Sequence, residues 1–370
     1  MRSRTLALAL TTLAAAPAPE SFVPAGPGFR WSFPRDHSSH PGYKNEWWYW
    51  NGIVEAEGSP KRRFAYQLTF FRVGLLPELP PLDSAWAAKD LLLGHAALTD
   101  LSTGERRFSE VLYRAVPLLA SFGVPGDPAL AWSRGPPGTG GRWEARLEGG
   151  RYRLSVEDRE QGLSLALDLA PERPPALEGP GGVSRKSERQ GFASLYYSVT
   201  RLSTRGTVAA FGAKVSVRGE SWMDREFGSN ALAPDEAGWD WFALQLADGR
   251  DLMLYVIRGK DGAPRYASGS VVDPKGHPTW LAARDFEVRV TRRWRSPNTR
   301  ADYPAGWELE VPSAGLFLRV SPDVVDQENR GGRGPHYWEG AVRAEDREGR
   351  AAGEGFVELV GYGAGNRPPI

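Results

Sequence analysis

The sequence contains no cysteine. This absence excludes disulfide bonds, thiolate catalysis, cysteine-ligated metal sites and a lipid-modified N-terminal cysteine. A net charge of one sign is lacking as well, because 46 Lys and Arg residues nearly balance 45 Asp and Glu residues. With no long basic run or basic helix, a nucleic-acid partner is not indicated, and a neutral or apolar small-molecule ligand fits the charge balance better.

Long apolar runs are also missing after the N-terminus. Residues 1–18 have the three parts of an export signal: the basic "MRSR", the apolar "TLALALTTLAAA" and the small-residue box "APA". No later segment approaches 18 uninterrupted apolar residues, so no integral membrane segment is predicted after signal cleavage. The sequence therefore predicts a periplasmic or secreted protein.

The motifs of several enzyme classes are absent. There is no GxSxG elbow, no HExxH, no Walker loop and no dinucleotide fingerprint, and we predict no cofactor. The stretch "RDHSSH" gathers Asp36, His37 and His40, but their spacing matches no specific zinc signature, so no metal site is predicted. His37 is the candidate catalytic histidine, because Asp36 and Glu46 could tune its ring. Alternatively, this segment closes the mouth of a domain or hydrogen-bonds turn backbone.

The residues that are abundant indicate a β protein. The chain has 43 glycines, 30 prolines and 14 tryptophans, which is typical of many short strands joined by turns. In the clearest hairpin, Leu154 and Val156 alternate with polar residues, "EDREQG" turns, and apolar and polar residues alternate again. Such alternation predicts half-buried antiparallel strands.

The second half of the chain repeats the first. The first half contains, in order, an aromatic strand, an apolar strand ending in Arg and a strand ending in Asp and a turn glycine: "EWWYWNGIVEAEG", "RRFAYQLTFFR" and "GHAALTDLSTG". The same order returns in "GWDWFALQLADGRDLMLYVIR", which holds the first two elements, and "YASGSVVDPKG", which holds the third. We predict two related antiparallel β domains, the first over residues 28–200 and the second over residues 201–370.

Four consecutive aromatic residues follow Glu46. In a strand, Trp47 and Tyr49 point to one face, while Trp48 and Trp50 share the other face with Glu46. Both faces must then be buried, one of them against a core. We predict that the face with Trp48 and Trp50 lines a ligand cavity; the alternative is that all four rings pack in a core or between domains.

The stretch "ESWMDREFG" places two carboxylates beside an indole. Trp222, Asp224 and Glu226 share one face of the predicted strand, with the carboxylates about 7 Å apart. Different environments can make one carboxyl an acid and the other a base, as hydration of an alkene requires. Alternatively, both carboxylates pair with nearby arginines on a solvated edge.

The stretch "GWDWF" supplies a third carboxylate. Trp239 and Trp241 share one face, and Asp240 points to the other, where it serves catalysis or forms a buried ion pair with an arginine such as Arg258. Trp239 and Trp241, with Tyr255 on the next apolar strand, are predicted to contact a ligand. In "GVSRKSERQG", Arg185 and Lys186 could clamp an acidic ligand group or lie in a solvated turn.

Seven ordered stretches resemble the lipocalin-like predicted secreted hydrolases, the AttH-like family related to carotenoid 1,2-hydratase: "FPRDHSSHPGYKNEWWYWNG", "FAYQLTFFR", "GHAALTDLSTG", "GVSRKSERQGFASLYYSVTRL", "WMDREFGSNAL", "GWDWFALQLADGRDLMLY" and "YWEGAVRA". The resemblance implies an all-β fold of two tandem lipocalin-like antiparallel β-barrel domains, with a cavity in or between them. Relatives are associated with water addition to an isoprenoid alkene and, more distantly, with polyene cyclisation. In the carotenoid branch histidines flank the aspartate; here Met223 and Arg225 stand there, which argues against carotenoid hydration.

Two hypotheses follow. In the first, the protein is an exported enzyme, a hydro-lyase or a hydrolase, acting on an apolar isoprenoid-like or polyene-like molecule, with Asp224 as proton donor and Glu226 or Asp240 as partner. In the second, it is a non-catalytic periplasmic carrier of a lipophilic ligand, with a possible link to an export system.

Overall fold

The fold is known from a computed structural model that describes residues 21–81, 83–230, 232–332, 334 and 336–363. The predicted signal peptide over residues 1–18 lies outside the described residues. Within them the protein is almost entirely antiparallel β structure, arranged as two curled, barrel-like sheets. The predicted all-β fold with two tandem lipocalin-like barrels is confirmed.

Thirteen strands of the described chain form the first sheet. They are β1 (Asn45–Ala56), β2 (Ser59–Gly74), β3 (Asp90–Asp100), β4 (Arg106–Arg114), β5 (Ala120–Phe122), β6 (Ala129–Arg134), β7 (Arg142–Glu148), β8 (Arg151–Asp158), β9 (Leu163–Pro171), β10 (Ala176–Leu177), β11 (Val183–Arg185), β12 (Ala193–Ala210) and β13 (Ala213–Asn230). Their order is β4-β3-β2-β1-β13-β12-β9-β8-β7-β6-β5, and β10 and β11 also pair with β12.

Ten strands of the described chain form the second sheet. They are β14 (Glu236–Leu246), β15 (Asp251–Gly259), β16 (Pro264–Val272), β17 (Pro278–Ala282), β18 (Glu287–Arg295), β19 (Asp302–Val311), β20 (Leu316–Pro322), β21 (Glu328–Asn329), β22 (Tyr337–Glu345) and β23 (Ala351–Leu359). Their order is β17-β16-β15-β14-β23-β22-β20-β19-β18, and β21 pairs with β22. The repeated stretches therefore occupy equivalent places, β1 to β3 in one sheet and β14 to β16 in the other.

Helical structure is confined to single turns in the described chain. These 3-10 turns are Arg35–His37, Pro180–Gly182, Ala283–Asp285 and Pro312–Ala314. No described helix has the length and apolar character needed to cross a membrane.

The two sheets divide later in the chain than the sequence predicted. The predicted boundary at residue 200 falls inside β12, and the first sheet continues through β13 to Asn230 before β14 begins the second sheet at Glu236. The reason is that β13 pairs along its length with both β12 and β1. Alternation of apolar and polar residues shows that a segment forms a strand of a sheet, but it does not show which other strand it pairs with.

The described chain has four clusters of buried apolar residues, and the three largest follow from this arrangement. One fills the first barrel, a second fills the second barrel, and a third lies between the sheets. The third cluster includes Tyr49 and Trp241, whose rings meet edge to face at 5.5 Å. The central strands therefore bury both faces, one in a barrel and one between the barrels.

The predicted cavity face of β1 is corrected by this geometry. Trp48 and Trp50 belong to the core of the first barrel, and both are fully buried. The Trp48 ring stacks on Phe122 with 5.7 Å between ring centres, and its centre lies 3.9 Å from the Arg225 guanidinium. The alternation was predicted correctly, but the face that looks between the barrels carries Trp47 and Tyr49.

Glu46 lies on the same face of β1 as Trp48 and Trp50, inside the first barrel, and is held in a buried ion-pair network. Its carboxylate contacts Arg72 and Arg225, and Arg72 also pairs with Asp90 at 2.6 Å. Burial alone would raise the pKa of Glu46, but the charges of Arg225 and Arg72 outweigh it and hold this pKa well below its usual range. Glu46 is therefore a structural anion of the first barrel and not a cavity residue as predicted.

We expect Glu46→Gln to lower the free energy of unfolding by about 3–5 kcal/mol, because it leaves two buried guanidinium groups without their shared anion. Urea unfolding followed by tryptophan fluorescence measures this. The matched control is Glu354→Gln, which removes a carboxylate that is 40% exposed from a pair with Arg63 and should change the stability by less than about 1 kcal/mol. Equal losses in the two variants would contradict the assignment.

Candidate functional site

A cavity lies between the two sheets, walled mainly by aromatic rings and acidic side chains. The cavity volume is about 80 Å³. It is lined by Trp47, Tyr49, Thr69, Phe71, Lys186, Tyr196, Asp224, Glu226, Leu232, Trp239, Trp241, Tyr255, Ile257 and Glu358. Such a cavity suits a mainly apolar molecule that needs a few polar contacts.

Strand register brings the lining residues together. On β1 and β13, Tyr49 is the direct neighbour of Asp224, and Trp47 is the neighbour of Glu226. On the facing sheet, Trp241 of β14 is the neighbour of Glu358 of β23. Because side chains alternate along a strand, each of these strands presents every second residue to the cavity and the others to its own barrel.

Asp224 is a buried carboxyl with three hydrogen-bond donors. The hydroxyls of Ser198 and Tyr196 donate to it at 2.6 and 2.9 Å, and Trp222 Nε1 donates at 2.7 Å. Burial raises the pKa of Asp224 to about 7, although these hydrogen bonds act in the opposite direction. The carboxyl can therefore both accept and release a proton near neutral pH.

Glu226 is paired with the cavity's lysine. Lys186 Nζ lies 2.7 Å from the Glu226 carboxylate, which also accepts a hydrogen bond from the Ser194 hydroxyl. The same ammonium group lies 5.2 Å from the centre of the Tyr196 ring and 4.6 Å from that of Tyr255. Lys186 is thus a buried cavity residue and not part of a solvated turn.

The structure brings five of the predicted site residues to the cavity wall. Asp224, Glu226, Trp239, Trp241 and Tyr255 line the cavity. Trp222 lies behind it and holds Asp224 through its indole N–H. The alternative of solvated pairs with arginines does not hold for Asp224 and Glu226, because both are buried.

Asp240 is not at the cavity, contrary to the prediction of a catalytic role. Its carboxylate pairs with Arg258 Nε at 2.7 Å and accepts a hydrogen bond from the Tyr362 hydroxyl at 2.8 Å. This is the buried ion pair that the sequence left as the alternative. Asp240 alternates with Trp239 and Trp241, so when these indoles face the cavity the carboxylate points away from it.

His37 is also remote from the cavity, so its predicted catalytic role is corrected. The Tyr197 and Tyr152 hydroxyls lie 2.5 and 3.1 Å from its Nδ1 atom, and both tyrosines belong to the core of the first barrel. Burial, and then the charge of Arg225, lowers the pKa of His37 to about 4. A neutral histidine packed on a barrel core fits a structural role.

Several cavity residues were missed by the sequence reasoning. Glu358 and Tyr196 lie outside the motifs that were weighed for chemistry, and Trp47 and Tyr49 were assigned to the other face. Their signal was present only as alternation, which cannot tell which of two buried faces meets a cavity. Among the described residues there is no group of three acidic, histidine or cysteine side chains placed to hold a metal ion.

Comparison of the sequence with known proteins assigns the chain to a family. Residues 24–362 match the profile of the family described as AttH-like. The chain belongs to the AttH-like family. The family resemblance predicted from the ordered motifs is thereby confirmed.

Solved structures share the fold of this AttH-like chain. A provisionally assigned AttH from Nitrosomonas europaea is 32% identical, covers 92% of this chain and 100% of its own, and superposes with a TM-score of 0.79. Kievitone hydratase from Nectria haematococca is 14% identical, with 88% and 91% of the two chains covered and a TM-score of 0.64. At that identity, the second comparison shows the fold alone.

A curated relative with a named activity matches over part of its length. The dehydratase AsqC of Emericella nidulans is 23% identical over 222 residues, which cover 56% of this AttH-like chain and 61% of the dehydratase. The match therefore spans less than two thirds of that protein.

The raised pKa of Asp224 predicts a pH-dependent stability. The folded state binds this proton more tightly than the unfolded chain, so the contribution is complete below about pH 4 and is lost as the pH rises through about 7. Asparagine resembles the neutral carboxyl and does not titrate. Between these pH values, the free energy of unfolding of wild type should fall relative to Asp224→Asn by up to about 4 kcal/mol.

Urea unfolding of both proteins from pH 4 to pH 8 measures this difference. The control is Asp248→Asn, because Arg250 holds the pKa of that exposed carboxyl below its usual value, so this carboxylate is charged in both the folded and the unfolded state above about pH 5 and should give no trend there. Parallel stability curves for wild type and Asp224→Asn would refute the prediction.

Proposed function

We propose that this protein is a hydratase or dehydratase that adds water to, or removes water from, an apolar isoprenoid-like or polyene-like molecule held between its two barrels. The observation that carries the proposal is Asp224, a buried carboxyl at the wall of an aromatic cavity whose pKa of about 7 suits proton exchange near neutral pH.

Asp224 is proposed as the group that exchanges a proton with a substrate carbon. In the hydration direction, its carboxyl proton forms the new C–H bond, the π bond breaks, and a cation forms on the neighbouring carbon. Water then forms the C–O bond and loses a proton. The three donors to Asp224 stabilise the carboxylate that remains after the transfer.

The aromatic walls of the cavity stabilise the carbocation that forms on the substrate. Trp239, Trp241 and Tyr255 present ring surfaces to the cavity, and such surfaces stabilise positive charge that has no counterion. Lys186 is neutralised by Glu226, so the cavity's one lysine does not oppose a cation. An apolar substrate also avoids the cost of burying an unpaired charge of its own.

The family relatives support this class of reaction. One relative is named as a dehydratase and a structural neighbour as a hydratase, and both names describe carbon–oxygen bond making or breaking with water. Export to the periplasm or out of the cell is a further part of the proposal, and detection of the mature protein in cell fractions of its host tests it.

The proposal is tested by incubating the purified protein with a lipid extract of its own host in water enriched in oxygen-18. We expect wild type to convert a compound with a mass change of one water, the label appearing in any hydrated product. Asp224→Asn should retain the same compound and convert it about 10²- to 10⁴-fold more slowly. Liquid chromatography with mass spectrometry measures both quantities.

The control is Asp248→Asn, which alters an exposed turn and should convert the compound at the wild-type rate. A compound retained unchanged by wild type and by Asp224→Asn alike would overturn the enzymatic proposal and favour the carrier. Conversion by Asp224→Asn at the wild-type rate would remove Asp224 from the mechanism.

A further inference from the structure

A second acidic centre faces Asp224 across the cavity. Glu358 lines the cavity from the second sheet, and Trp239 Nε1 donates a hydrogen bond to its carboxyl at 2.7 Å. Directly across the β22–β23 ladder lies Glu339, which is 1% exposed. Two carboxyls thus sit side by side at the wall opposite Asp224.

Neither carboxyl of this pair forms an ion pair with a lysine or arginine side chain in the part of the chain that the structure describes. Arg106 is the guanidinium whose charge acts most on Glu339, and it donates instead to the Glu339 main-chain oxygen at 3.2 Å. Neutral groups of Tyr49, Gln67 and Tyr337 surround the Glu339 carboxyl. Two neighbouring buried carboxyls without an ion-pair partner cannot both ionise cheaply, so the pair keeps a proton.

The titration of the pair reflects all the charges that face it. Burial, and then the charge of Glu339, raises the pKa of Glu358 well above its usual value, and the charges of Asp224 and Glu226 add to this. Burial raises the pKa of Glu339 to about 7, against the charge of Arg106. In the described chain three hydrogen-bond donors stabilise the Asp224 carboxylate and one donor contacts the Glu358 carboxyl, so Asp224 loses its proton before Glu358.

We infer that Glu358 is the second catalytic carboxyl of the cavity, that it exchanges a proton with the substrate oxygen while Asp224 exchanges one with the substrate carbon, and that Glu339 is the positioning residue that keeps Glu358 protonated. This inference rests on the proposed function and names the partner of Asp224. It replaces Glu226 in that role, because Glu226 is held by Lys186 and Ser194.

In the dehydration direction, Glu358 gives up one proton and Asp224 accepts one. Glu358 gives its proton to the substrate hydroxyl, the C–O bond breaks, and water leaves with the electron pair. The neighbouring C–H bond then breaks, its electrons form the π bond, and the proton passes to the Asp224 carboxylate. Exchange with solvent restores both groups, and hydration is the same path reversed. Glu358 keeps its proton after Asp224 has lost its own, and this is the protonation state from which dehydration starts.

Tyr49 connects the two centres. It is the cross-strand neighbour of Asp224 on the first sheet, and the charges of Glu339 and Glu358 add to the effect of burial in raising its pKa. Tyr49, Asp224 and Glu358 all line the same cavity, so the two carboxyl centres border one space.

The test uses the same host lipid extract with Glu358→Gln and Glu339→Gln, each first shown by urea unfolding to be folded. Glu358→Gln should retain the converted compound and slow its conversion about 10²- to 10⁴-fold. Glu339→Gln should remain active, but the falling limb of its pH–rate profile should move to lower pH by about one unit or more, because the charge that raises the pKa of Glu358 is gone.

The outcomes separate this inference from the proposed function. No conversion by wild type would defeat the proposed function itself. Conversion by wild type, its loss in Asp224→Asn and an undiminished rate in Glu358→Gln would overturn this inference alone. A Glu339→Gln profile whose falling limb coincides with that of wild type would also overturn it, since a merely structural residue would change the rate and not the limb.

Discussion

The structure depends on strands that must bury both of their faces. β1, β13 and β14 each lie between a barrel core and the layer between the barrels. A strand in this position can leave neither face polar unless each polar group is paired. This requirement explains why rings follow one another at Trp47, Trp48, Tyr49 and Trp50, and why the charged residues that alternate with rings are held by partners.

The same constraint separates two kinds of buried carboxylate. Glu46 and Asp240 face barrel interiors, where arginines neutralise them. Asp224 and Glu358 face the space between the barrels and have hydrogen-bond donors but no arginine or lysine partner in the described chain. An ion-paired carboxylate keeps its charge and serves stability, whereas a carboxyl without a cation can change its protonation state and serve chemistry.

Local patterns predicted the site in part. The alternation in "ESWMDREFG" correctly placed Asp224 and Glu226 on the face opposite Met223 and Arg225, since a strand repeats every two residues whatever it packs against. The same rule placed Trp239 and Trp241 together. It could not tell which face of β1 meets the barrel core and which meets the cavity, because both faces are apolar. A hydrophobic pattern distinguishes buried residues from exposed ones, but it does not distinguish a core from a cavity wall.

The sequence by itself therefore determined the all-β class, the repeat of a strand trio, the family and the pairing of faces within each strand. Only the tertiary structure decided which face meets the cavity, that β13 completes the first sheet, and that Lys186, Tyr196 and Glu358 join Asp224. The physical reason is distance along the chain. Alternation is a property of neighbouring residues, whereas the cavity brings together β1, β13, β14 and β23, which are close only because two sheets curl and pack face to face.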